Sequence, residues 1–187
     1  MLMEDVSKED FSGLLSNLVL QPAGMINSTF ENPLSKKLEA QASKGYLKNG
    51  EMVEGGYLVH PELAAAGLWA TPSDLARFMI RFGKSYRGEK GGLVKHETAK
   101  KMLTKIPGTG GMGFGLRGEG DTFRFQHSGR NKGFTCYAVS FANTGRGVVI
   151  MTNSDEGFPF MQEMSKTISR EFNWPDICLG GLSVSLL

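Results

Sequence analysis

The stretch "RFQHSGRNKGFTCYAVSFANTGRGVVIMTNSD", Arg124 to Asp155, holds the clearest run of strand-like segments in the sequence. Within and just before it, "GMGFGLRGE", "TFRFQHS", "FTCYAVSFA" and "RGVVIMTNS" read as four strands divided by glycine-rich turns. Short strand candidates joined this closely predict consecutive antiparallel pairing. Alternation puts Phe123, Phe125 and His127 on one face of their strand, with Arg124, Gln126 and Ser128 on the other. His127 and Ser128 therefore point to opposite sides, which makes Ser128 a poor nucleophile for activation by His127. Two readings of His127-Ser128-Gly129 stay open from spacing alone. The histidine is a hydrogen-bonded strand residue followed by a turn, or the three residues form one wall of an active site.

Outward from this core the period changes from strand to helix. In "AAAGLWATPSDLARFMIRFGK", Thr71 is the predicted N-cap, Pro72 takes the first helical position and Asp74 the third. Thr71 and Asp74 are both expected to serve the exposed N–H groups of the first turn. Leu75, Phe78, Met79 and Phe82 make an apolar stripe, and Gly83 is the predicted stop. A shorter helix is expected at about 94 to 103, and a last one at about 159 to 172 using Met161, Met164, Ile168 and Phe172. At the start, Ser7 with Asp10 suggests a capping box ahead of Phe11, Leu14, Leu15 and Leu18, and Pro22 with Gly24 ends that helix. Residues 27 to 60 read as a long connection with short strand pieces from 45 onward. Helices before and after a run of antiparallel strands predict an α+β fold, a sheet flanked by helices.

Composition limits the function classes. With 187 residues, 40% apolar and 21% charged, the chain is an ordinary globular domain. A net charge of +2 without a basic block gives no reason to expect nucleic acid as a partner. No apolar run approaches the length of a membrane span. The acidic start, "MLMEDVSKED", does not read as a secretory signal. Cys136 and Cys178 imply neither a disulfide framework nor a zinc site, and Cys136 in its strand reads as a buried free thiol. His60, His96 and His127 lack ligand-like spacing, so neither a metal nor a cofactor is expected. The glycines of "GTGGMGFG" lack the context of a phosphate loop. Tyr46 and Tyr57 read as loop packing residues. "KKLEAQASK" at 36 to 44 reads as a solvated face.

"HSGRNKGF" followed by "GRGVVIMTNSDEG" resembles the C-terminal part of the serine beta-lactamase-like hydrolases, which comprise class C beta-lactamases, penicillin-binding proteins and related esterases. "LLSNLVLQPAGMINSTFENPL" and "HPELAAAGLWATPSDLARF" resemble preceding segments in the same order, so the likeness runs through about residues 1 to 175. Residues 176 to 187, an apolar tail, do not align. The resemblance implies a partial beta-lactamase/transpeptidase-like fold and three motifs meeting in one cleft. These are a Ser-x-x-Lys nucleophile, a Tyr-x-Asn or equivalent, and a Lys-Thr-Gly or His-x-Gly wall. His127, Ser128 and Gly129 match the wall. By resemblance His127 supports the proton relay, Ser128 binds a substrate carboxylate or carbonyl, and Gly129 keeps the wall low; Trp69 lines the cleft by the same likeness, or equally anchors the helix cap. The Arg130 main-chain N–H supplies one oxyanion donor by the same likeness.

The sequence contains no Ser-x-x-Lys and no Tyr-x-Asn; Thr98 to Lys101 fits only a looser Thr-x-x-Lys, and "YLKN" at 46 to 49 is one residue too long. In the family both motifs precede the segments seen here. The expectation is a C-terminal fragment of an acyl-transferring hydrolase acting on a beta-lactam, peptide or ester, inactive by itself. The alternative is a non-catalytic binding module for such ligands. By resemblance, two sheet strands and much of a helical subdomain belong to preceding sequence. Their absence would leave an open sheet edge prone to self-association. Members of the family are often periplasmic or secreted.

Overall fold

The computed structural model describes residues 2–108, 110–175 and 177. Helix α1 (Leu2–Ser7) buries none of its residues. It is followed by α2 (Phe11–Leu15), a π-helical turn at Ser16–Leu20 and α3 (Gln21–Ala23). The cap of α2 is Asp10, whose carboxylate accepts from the Gly13 N–H at 2.9 Å, rather than Ser7. The π turn sets back the helical phase, so that Leu20 is buried while Leu18 is exposed. Gly24, at φ +73°, stops the segment.

After a long connection carrying the short α4 (Lys36–Glu39) and α5 (Leu63–Ala66), helix α6 runs from Pro72 to Arg87. Thr71 caps it by accepting from the Asp74 N–H at 3.2 Å. The Asp74 carboxylate, fully buried, reaches beyond its own helix. It accepts from the Asn27 main-chain N–H at 2.6 Å, the Ser28 hydroxyl at 2.9 Å and the Arg77 guanidinium. This pins the 25–28 loop to the helix start. Gly83 does not end α6; it is buried inside the helix near Phe125 and Ser140, and the chain turns off at Gly88, φ +70°. A glycine inside a helix weakens it, and here it permits close approach to the sheet. Helix α7 (His96–Met102) packs beside α6.

The sheet contains β1 (Gly115–Arg117), β2 (Arg124–Asn131), β3 (Phe134–Phe141) and β4 (Gly147–Thr152), all antiparallel in the order β1-β2-β3-β4. Helix α8 (Gly157–Glu171) is the last regular element among the described residues. The register puts Leu116, Phe125 and Ala138 on the α6 face, in one core with Met79, Phe82 and Leu103. Rings of Phe82, Phe114 and Phe125 lie 5.0 to 5.4 Å apart. The opposite face, with Tyr137, Val139 and Phe141, packs on Met161 of α8 and on Ile177. Ile177 is thus the one described residue of the 176 to 187 tail; Cys178 and the rest lie outside the described residues.

The buried stripe of α8 is Met161, Ser165 and Ser169, while Met164 and Phe172 are exposed. Met161 enters the core as its spacing predicts, while the small Ser165 and Ser169 let the following turns of the helix lie close to the sheet, so Met164 and Phe172 are turned outward. Its first residue, Gly157, sits over the Thr135–Thr152 hydroxyl pair, which is 2.6 Å across. A Cβ there would stand 1.8 Å from the Thr152 hydroxyl. The result is an α+β arrangement in which helices cover both faces of one antiparallel sheet.

Candidate active-site wall

Strand β2 is paired unequally along its length. Arg124, Phe125 and Gln126 pair with β1 on one side and β3 on the other. From His127 to Asn131 the register runs against β3 alone, and no strand among the described residues covers the other edge. The cause lies just before β1. Phe114 turns into the core against Phe82 and Phe125, and Gly113 takes a left-handed φ of +77°. The chain leaves the sheet there, and five residues of β2 keep an open edge.

On the α6 face this edge carries His127 opposite Ala138, Gly129 opposite Cys136, and Asn131 opposite Phe134. His127 and Gly129 are exposed. The aromatic core at Phe82 and Phe125 closes one end of the row. At the other end Trp69 meets Phe134 edge-on at 5.9 Å, and Tyr57 meets Trp69 at 5.0 Å. Trp69 is held by two main-chain hydrogen bonds to Thr29, both 2.9 Å. Asn131 donates through Nδ2 to the Ala66 carbonyl at 3.1 Å, tying the segment before Trp69 to the end of β2. Trp69 therefore lines the end of the row as well as bracing the start of α6.

The other predicted residues divide by strand parity. Ser128 lies opposite Tyr137, on the α8 face, and is half-buried. The Arg130 side chain shares that face, its Nε 3.9 Å from an Asp155 carboxylate oxygen that also accepts the Gly133 N–H at 2.9 Å. At Arg130 only the main chain belongs to the edge. Cys136 is a free thiol beneath Gly129, and burial pushes its pKa up. Burial, then the Glu39 carboxylate, raises that of Tyr57.

Residues from the looser motifs stand elsewhere. Thr98 and Lys101 are solvent-exposed on α7, and Tyr46 is exposed in the loop that pairs with Met52 and Ser154. Asn131 and Phe134 escaped the sequence reading. Their signal was the hairpin "RNKGF", which alternation alone does not mark as a site. A shallow concavity lined by Glu163, Lys166, Ser169, Arg170, Asn173 and Trp174 lies by α8 and holds none of the wall residues. Among the described residues no group of three or more His, Cys, Asp or Glu side chains is arranged to hold a metal ion. No helix among them is long and apolar enough to cross a membrane.

Comparison with solved structures gives the same architecture. An octameric penicillin-binding protein homologue from Pyrococcus abyssi matches with TM-score 0.68 at 22% identity, over 92% of this chain and 40% of that one. A penicillin binding protein from Bacillus halodurans matches with TM-score 0.70 at 17% identity, over 88% and 52%. A D-amino acid amidase from Ochrobactrum anthropi, complexed with D-phenylalanine, matches with TM-score 0.64 at 18% identity, over 92% and 57%. The chain spans about half the length of these structures or less. Comparison with curated proteins gave no match. The Beta-lactamase family model matches residues 1–169, and with the antiparallel sheet, its flanking helices and the His-Ser-Gly strand, this makes the chain a member of the Beta-lactamase family.

Proposed function

We propose that this chain supplies the sheet wall of an acyl-transfer cleft, with an extended acyl ligand lying along the open edge of β2. The observation that carries this reading is the unpaired edge from His127 to Asn131, beside a glycine that leaves the α6 face open. An exposed row of main-chain donors and acceptors is a template for an extended partner. In this reading His127 faces the ligand and supports proton transfer. Ser128 and the main chain through Arg130 bind its carboxylate or carbonyl, and Gly129 leaves room for it. The ligand class is a beta-lactam, a peptide or amide, or an ester, in keeping with the amidase and penicillin-binding proteins that share the fold.

We further propose that the 187-residue chain by itself does not turn such ligands over. It has no Ser-x-x-Lys, and the hydroxyl next to His127 points to the opposite face. In a serine protease stripped of its triad, binding and the oxyanion hole still give about 10³ to 10⁴ over water. Here the nucleophile's own N–H donor is lacking too, so the residue of rate is smaller. Incubation with nitrocefin and with a p-nitrophenyl ester is expected to give background rates. Rapid turnover, with an acylated serine found by mass spectrometry, refutes the proposal.

Binding without chemistry is the second reading, and the same open edge favours it. Self-association belongs to the proposal as well. β4 pairs only with β3 among the described residues, and its segment "GVVIMT" carries no charge to discourage edge pairing. Light scattering tests this point: oligomers are expected, and a clean monomer contradicts it.

A further inference from the structure

We propose that Trp69 and Phe134, backed by Tyr57, form a subsite for an aromatic side chain on the acyl ligand; the inference rests on the reading of the β2 edge as the ligand wall. Phe134 stands opposite Asn131, one same-face step from the Gly129–Cys136 row. Such a step is about 7 Å along a strand, the reach of one ligand side chain. A ligand held over Gly129 thus has its next group at the Trp69–Phe134 pair.

This pair is built in advance of any ligand. Trp69 is fixed by its two main-chain bonds to Thr29. Phe134 is backed by the Gly45 main chain so closely that a Cβ on Gly45 would stand 2.6 Å from its ring. The rings meet at 78° and 79°, edge to face, and all three remain half-exposed. That geometry offers ring faces and edges to a further aromatic group, a contact worth more than its buried area alone. Leu68, exposed beside Trp69, extends the apolar surface. Lys44, with Nζ 5.8 Å from the Tyr57 ring centroid, puts one positive charge at the rim. An aromatic acyl compound that also carries a carboxylate suits this combination.

The test compares N-phenylacetylglycine with N-acetylglycine, which share the carboxylate and amide and differ in the ring. The ¹⁵N-labelled chain is titrated with each. Main-chain amide resonances of 127 to 131 report the edge, and the Trp69 indole N–H reports the subsite. A Trp174→Phe variant leaves Trp69 as the only tryptophan for a fluorescence readout; the indole resonance of the unaltered chain serves if that variant folds poorly. Both compounds are expected to shift the edge amides. Only the phenylacetyl compound is expected to move Trp69, and to bind about tenfold more tightly. Trp69→Leu should abolish that preference. Equal binding with edge shifts but no response at Trp69, or a preference that survives Trp69→Leu, overturns the subsite and leaves the wall intact. No shift at 127 to 131 with either compound overturns the wall itself, and the subsite with it.

Discussion

Gly129 separates a requirement of folding from a requirement of binding. Its φ is not left-handed, so the strand does not use glycine's conformational freedom at this position. A Cβ added there meets only the Cys136 Sγ, at 3.2 Å, a contact relieved by a shift of a few tenths of an ångström. Against that small cost, replacing a strand glycine with alanine is worth about 0.5 to 1 kcal/mol. The two effects offset, so Gly129→Ala should change stability by no more than about 1 kcal/mol. That corresponds to about 4 °C or less in melting temperature for a chain of this size. Gly129→Val keeps a β-favouring residue but fills the space above the strand where the ligand is proposed to lie. Its affinity for N-acetylglycine or N-phenylacetylglycine should fall at least about tenfold, or about 1.4 kcal/mol. Thermal unfolding and calorimetric titration on the same preparations give both numbers. A loss of more than about 3 kcal/mol in the alanine variant would show that the glycine is structural. Unchanged affinity in a folded valine variant would show that nothing lies over Gly129.

Gly133 and Gly157 should behave in the opposite way. Gly133 has φ +83° and a Cβ would stand 2.6 Å from Val53 and 2.8 Å from Gly45; at Gly157 it would meet both Thr152 and Thr135 hydroxyls. Either alanine variant is expected to lose about 1 to 3 kcal/mol or more in urea unfolding, and a neutral result contradicts the packing described. Asp74→Ala leaves the Asn27 N–H and Ser28 hydroxyl without their buried acceptor, at an expected cost of about 1.5 to 3 kcal/mol; Arg77, half-exposed, is resolvated and adds little. A drop under about 1 kcal/mol would mean that the 25–28 loop is held by something else. Cys136 and Tyr57 both have raised pKa values in the folded chain, so each contributes stability that is full below its ordinary pKa and lost as the pH climbs through the folded value. Melting temperature should therefore fall above about pH 9, and less steeply in Cys136→Ala. An equal alkaline slope in the variant rules out the thiol as a source.

Much of the fold was legible because its signals are local. The four strands showed through glycine-rich turns, and Thr71-Pro72 marked the start of α6 correctly. Errors arose where a distant partner decides. Gly83 looks like a helix stop until Phe125 and Ser140 are brought against it, and Asp74 looks like a local cap until Asn27 arrives from 47 residues away. Leu18 satisfies a helical stripe, but the π turn exchanges it for Leu20. In α8 Met161 was legible, but the contact continues through Ser165 and Ser169 rather than through Met164 and Phe172. Alternation put His127 and Ser128 on opposite faces, and the register agrees. The open edge was not legible there. It depends on β1 starting only at Gly115, because Phe114 before it turns into the core.

Mapping amide shifts in the ¹⁵N spectrum during titration with N-phenylacetylglycine tests whether residues 127 to 131 are the ligand-binding edge. Shifts are expected to begin at His127, run through Asn131 and stay small along β4. Shifts confined to Glu163 through Trp174, beside α8, or none at all, would contradict it.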